Sequence, residues 1–142
     1  MYQHKVQYMH FMLQLEVVDR LAAQPDNKAY GRLSIITQYY CQVDKLFNVP
    51  PGSFNPPPKV MSAIVRLVPR PAPIEALDVA LFETTVKTSF AQRRKTLRNN
   101  LKNWLSQEQL AGLTIDLSLR PEQLSLNDYV LLANALHAMG VR

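Results

Sequence analysis

Glycine is scarce in this 142-residue chain: Gly31, Gly52, Gly112 and Gly140 are its four, and no two stand in a G-x-G spacing. That spacing excludes a glycine-rich, phosphate-cradling turn within the sequence. Cysteine is scarcer still. The single Cys41 excludes an internal disulfide framework and fits a reducing compartment. His4, His10 and His137 are scattered, so no ligand set with metal spacing exists and no metal site is expected. No apolar run reaches the roughly eighteen residues of a membrane span. Met1 to Val6 lead into no apolar signal segment. Charged residues make up 19%, which is low for a free-standing soluble surface. No Ser/His/Asp arrangement or paired carboxylate stands out.

What is present is a sizeable apolar fraction and a basic balance. A hydrophobic content of 47% suffices for a core, and the length suits one domain, or one small domain plus part of another. The formal net charge is +5, with a pI near 9.5. Such a balance favours an anionic partner without naming it.

Periodicity gives a coarse layout. Residues 8–13 (YMHFML) read as a buried strand, and their lack of alternation fits a strand covered on both faces. Residues 15–23 carry apolar positions at helical spacing, ended by Pro25-Asp26-Asn27. Gly31 opens a second helix over 32–41. Residues 42–49 alternate like a strand, 50–59 form a Pro-rich loop, and 60–68 form another strand, antiparallel to the first. Pro69, Pro71 and Pro73 make a stiff linker. Helices are expected at 75–90, 94–105, 107–112 and 127–139, with caps in Ser125-Leu126-Asn127-Asp128 and a stop at Gly140.

Two stretches carry candidate chemistry. In FNPPPKVMSAIVRL (54–67), Pro56, Pro57 and Pro58 lack an N–H and have fixed φ, so the segment is stiff and extended. It carries Phe54 and, one step on, the cation of Lys59. A flat nucleobase beside a phosphate suits that pairing. Two other readings stand: Phe54 caps a core, and the prolines form a rigid connection or, less readily, a ligand for a proline-binding domain. The second stretch, 86–104, holds Lys87, Arg93, Arg94, Lys95, Arg98 and Lys102 and no carboxylate. On a continuous helix Leu97, Leu101, Trp104 and Leu105 would share one face, with Lys95, Arg98 and Lys102 beside it. Phosphate contact exceeds a merely solvated face as an account of six cations in nineteen residues. Asn99 and Asn100 could add hydrogen bonds to a nucleic-acid backbone. Cys41, after Tyr39-Tyr40, reads as core.

Four motifs in order carry a family resemblance: MHFMLQLEVVDRL (9–21), KAYGRLSIITQYYCQV (28–43), FNPPPKVMSAIVRL (54–67) and FAQRRKTLRNNL (90–101). The chain resembles the bacterial ribosomal RNA adenine dimethyltransferases of the KsgA type, from Met9 to its end. One departure is Met61, where the family usually carries Asp; its thioether does not replace a carboxylate. The resemblance implies an α/β plus α fold. Residues 1–70 would be the C-terminal part of a Rossmann-like methyltransferase domain, and 71–142 a helical RNA-docking domain. It also implies a target-base loop of Phe54, Pro56, Pro57, Pro58, Lys59 and Ser62, set against an adenine swung out of its stack. RNA contact would come from Arg93, Arg94, Lys95, Arg98, Asn99 and Lys102.

The family binds S-adenosylmethionine through a glycine-rich strand–turn–helix and carries an Asn-Leu-Pro-Tyr motif at the target amine. Neither occurs here, so the resemblance implies a C-terminal piece beginning at an internal methionine and inactive alone. The cofactor would belong to the full-length enzyme. The implied partners are small-subunit ribosomal RNA and the small ribosomal subunit, in the cytoplasm. The rival reading is a non-catalytic RNA-binding or ribosome-assembly module. An upstream reading frame encoding both missing motifs would separate the two.

Overall fold

The computed structural model describes residues 8–53 and 60–142. Three strands, β1 (Met9–Gln14), β2 (Cys41–Val49) and β3 (Ser62–Pro69), form one antiparallel sheet in the order β1-β3-β2. Helices α1 (Leu15–Ala22) and α2 (Arg32–Tyr40) lie between β1 and β2 in sequence. Four more follow the sheet: α3 (Val79–Ser89), α4 (Leu97–Leu101), α5 (Gln107–Ala111) and α6 (Leu126–Ala138). The antiparallel pairing of β2 with β3 is the one expected. A bulge at Leu46 shifts its register between Lys45 and Phe47.

β1 is less covered than the buried strand read from the sequence. It is an edge strand of the described sheet, paired with β3 from Met9↔Leu67 to Gln14↔Ser62, and Phe11 and Met12 are exposed. α1 covers one face of the sheet, where Val18 and Leu21 pack on Ala63 and Val65. On the opposite face Met12, Ile64 and Phe47 form a row across all three strands, because Ile64 is the register partner of both others.

A second, larger core joins the helices, centred on Phe82, Leu97, Leu101, Leu124, Tyr129 and Leu136. It also takes in Tyr30, Ile35 and Tyr39 of the α2 region. This core draws residues from both sides of Pro69–Pro73. Ala72, Ile74 and Ala76 pack partly against it. The segment after the prolines is tied down as well: Leu77 N–H donates to Asn134 Oδ1 at 2.9 Å, and Ala76 N–H to the Tyr39 hydroxyl at 3.0 Å.

Local chemistry sets the helix ends. α3 starts later than expected, at Val79, capped by Asp78, whose carboxylate accepts from Leu81 N–H. α6 begins with a reciprocal box: Asp128 N–H donates to Ser125 Oγ, and Ser125 N–H to the Asp128 carboxylate. It stops at Gly140, whose φ of +82° suits glycine. The expected helix over 94–105 is the main correction. Only Leu97–Leu101 is α-helical, and residues 91–94 form turns. The amides of Leu97 and Arg98 donate to the carbonyls of Leu119 and Leu117, at 2.7 and 3.0 Å. Those amides cannot also continue a helix from upstream. Lys95 consequently lies before the helix, off the face expected to hold it with Arg98 and Lys102.

Candidate nucleic-acid interface

The basic stretch is a structured turn rather than a helix face. Asn100 is buried beneath it. Its Oδ1 accepts from Gln92 N–H at 2.8 Å, and its Nδ2 donates to the carbonyls of Gln92 (2.9 Å) and Thr96 (3.1 Å). Asn100 is thus a clamp for its own chain and not a free donor to RNA. Arg94, Lys95, Arg98, Asn99 and Lys102 are exposed around the turn. Asn99 N–H is used locally, on the Thr96 hydroxyl that caps α4.

Arg93 behaves differently from its neighbours. It is half-buried, its guanidinium donates to Asn27 C=O at 3.0 Å, and it lies over the Phe90 ring at 5.9 Å. Phe90 in turn packs against Tyr30 and Tyr129, with centroid separations of 6.3 and 5.8 Å. Both phenols are buried. Tyr30 donates to Leu124 C=O and Tyr129 to Pro121 C=O, each at 2.6 Å. Burial pushes both phenol pKa values well above their ordinary 10.0. They are neutral structural donors that hold the platform under Arg93.

Beside Arg93 opens a cavity of about 610 Å³, lined by Arg20, Lys28, Arg32 and Arg93 over an apolar side of Leu33, Ile36 and Phe90. A second cavity, of about 530 Å³, shares Arg20, Lys28 and Ala29 with it and runs to Val60 and Met61. The exit of the Pro-rich loop is fixed there, since Leu15 N–H donates to Met61 C=O at 2.9 Å. The trough therefore leads from that loop's exit to the Arg93 turn. Arg20, Lys28 and Arg32 were not singled out from the sequence, where twelve positions separate the first from the last. All three fall within the family motifs, Arg20 in residues 9–21 and Lys28 and Arg32 in residues 28–43, but no role was read for them.

Of the loop itself, Phe54, Pro56, Pro57, Pro58 and Lys59 lie outside the described residues. Ser62 is the first residue of β3, buried and paired with both Gln14 and Val49. It belongs to the strand. Cys41 is half-buried at the start of β2, and burial raises its thiol pKa, which does not favour the reactive thiolate. Among the described residues no group of three or more His, Cys, Asp or Glu side chains converges as a metal site. No described helix is long and apolar enough to cross a membrane.

The family model for ribosomal RNA adenine dimethylase matches residues 1–138. The chain belongs to that family. Relatives named ribosomal RNA small subunit methyltransferase A include those of Saccharophagus degradans, 61% identical over 129 residues, and Pseudomonas aeruginosa, 58% identical over 132 residues. These alignments cover 90% and 92% of this chain but 48% and 49% of the relatives. The chain thus spans about half the length of the relatives it matches. Among solved structures, a dimethyladenosine transferase from Plasmodium falciparum superposes with a TM-score of 0.77 at 24% identity, covering 95% of this chain and 58% of that one. The 23S rRNA methyltransferase ErmE superposes with a TM-score of 0.64 at 19% identity, covering 92% and 55%. The chain shares its fold with both.

Proposed function

We propose that this chain is part of an S-adenosylmethionine-dependent enzyme that dimethylates the exocyclic amine of adjacent adenines in small-subunit ribosomal RNA. The family match over residues 1–138 carries this reading, and the relatives' shared name supports it. That name also favours an enzyme over a non-catalytic assembly module. In this reading the sheet is the last part of a Rossmann-like methyltransferase sheet and the later helices form an RNA-docking unit. The partner is the small ribosomal subunit, in the cytoplasm.

The described residues do not fit S-adenosylmethionine itself. β1 runs directly into α1 at Gln14–Leu15 with no intervening glycine, and the sheet is antiparallel throughout. Gly31 follows a turn, Gly52 lies in a 3-10 turn, and Gly112 and Gly140 follow helices. None forms the strand–turn–helix that cradles such a ligand. The proposal therefore assigns the cofactor to the portion of the relatives this chain does not span.

This chain's share would be target and docking. Phe54, presented by Pro56, Pro57 and Pro58 with Lys59 and Ser62 following, would stack on the extruded adenine. Arg93, Arg94, Lys95, Arg98, Asn99 and Lys102 would hold the RNA. Mass spectrometry of small-subunit rRNA from cells lacking the gene tests the reading. Loss of dimethyladenine, restored when the gene is returned, is expected; unchanged dimethyladenine would overturn it.

A further inference from the structure

We propose that the trough between the Pro-rich loop's exit and the Arg93 turn is a seat for the phosphodiester backbone of a single RNA strand, with Lys28, Arg32 and Arg93 as its phosphate ligands. This rests on the RNA reading above and adds to it a path and two contacts, Lys28 and Arg32, both outside the basic stretch.

Convergence is the main argument. Arg20 lies in the last turn of α1, Lys28 stands in the following turn, Arg32 opens α2, and Arg93 comes from the turn after α3, yet all four line one cavity. No carboxylate is among the described residues lining this cavity, and the two that line the adjoining one, Glu16 and Asp19, are each paired with a cation, Arg20 and Lys45. Like charges gathered in a concave site raise the local positive potential, and an anion relieves their repulsion. Arg93 is a fixed member, held by Asn27 C=O and the Phe90 ring. Lys28 and Arg32 are exposed and free to reach. The nine-residue helix α2 starts inside the cavity on Gly31, which brings no side-chain cap to the first amides.

The form of the site selects the ligand. The trough is elongated, built from two cavities joined at Arg20, Lys28 and Ala29, so it suits a chain of anions rather than one. Its apolar side, with Leu33 and Phe90, matches sugar and base. Arg20 is held in reserve by Glu16, at 2.7 Å across one helical turn. Removing that carboxylate frees a further cation.

The test compares salt dependence of binding to a short single-stranded RNA oligomer by the full chain. In Lys28→Gln/Arg32→Gln the log–log salt slope falls by about 1.4, at about 0.7 per lost contact. In Glu16→Gln binding tightens. Circular dichroism checks that both variants stay folded. If Arg94→Gln/Lys95→Gln lowers the slope and Lys28→Gln/Arg32→Gln does not, RNA binding stands and the seat is overturned. If the wild-type chain shows no salt-dependent RNA binding, the RNA reading fails instead. The seat is then judged by NMR titration with inorganic phosphate. Shifts confined to the amides of residues 28–33 support an anion site there; no shift overturns it. Tighter binding of polyglutamate than of RNA would also overturn it.

Discussion

Asn100 and Gln92 exchange two hydrogen bonds: Gln92 N–H donates to Asn100 Oδ1 at 2.8 Å, and Asn100 Nδ2 donates back to Gln92 C=O at 2.9 Å. One buried amide thereby sets the conformation of the turn that carries Arg93, Arg94 and Lys95. Replacing it with Ala leaves the Gln92 amide and carbonyl without that partner. We expect Asn100→Ala to cost about 1–3 kcal/mol of stability. Urea denaturation checks it, and an unchanged midpoint would mean that water serves the turn equally well.

Arg94, Lys95 and Arg98 are exposed and make no ion pair among the described residues. Their replacement by Ala should weaken RNA binding and lower the salt slope by about 0.7 to 0.9 per lost phosphate contact. Filter binding over a range of salt reads this directly. A constant slope would make the basic turn a solvated surface only.

Tyr30 and Tyr129 predict an alkaline limit. Burial raises both phenol pKa values above their ordinary 10.0, so the folded chain retains protons that the unfolded chain releases. Their contribution is complete below pH 10 and is lost as pH climbs toward the raised folded values. Stability should stay flat in this respect up to about pH 9 and then decline, with a shallower decline in Tyr30→Phe. Urea melts at stepped pH test the sign; stability rising above pH 10 would contradict it.

The chain by itself should not bind S-adenosylmethionine. No described strand leads through a glycine turn into a helix, and the first helix follows β1 without a break. Calorimetry should show no saturable heat. Micromolar binding would mean that a different set of residues holds the cofactor.

Association is expected as concentration rises. β1 has one neighbour among the described residues, β3, and the row Met12–Ile64–Phe47 leaves Met12 50% and Phe47 58% exposed. An edge beside an apolar face invites pairing with another copy. Light scattering should show growth that Met12→Lys suppresses. A concentration-independent monomer would refute the expectation.

The strands and the two early helices were legible because apolar runs there are short and punctuated by Pro25, Gly31 and the 50–59 loop. α6 was legible for the same reason, with Ser125 and Gly140 at its ends. The stretch over 94–105 misled because Leu97, Leu101 and Leu105 keep a helical period. What breaks the helix is the use of the Leu97 and Arg98 amides by Leu119 and Leu117, far along the chain. Asn100 was read as reaching outward because side-chain type does not reveal burial. The cations lining the trough were invisible for a related reason: Arg20, Lys28 and Arg32 are ordinary surface residues until the fold brings Arg93 beside them.

α2 sits with Tyr30, Ile35 and Tyr39 in the core of the helices, while its last residue, Tyr40, runs directly into β2 of the sheet. Tyr40 C=O also accepts from Arg70 N–H at the far end of β3. The helix is thus a mechanical tie between the two parts. Tension drawn through the sheet is passed to the aromatic platform beneath Arg93.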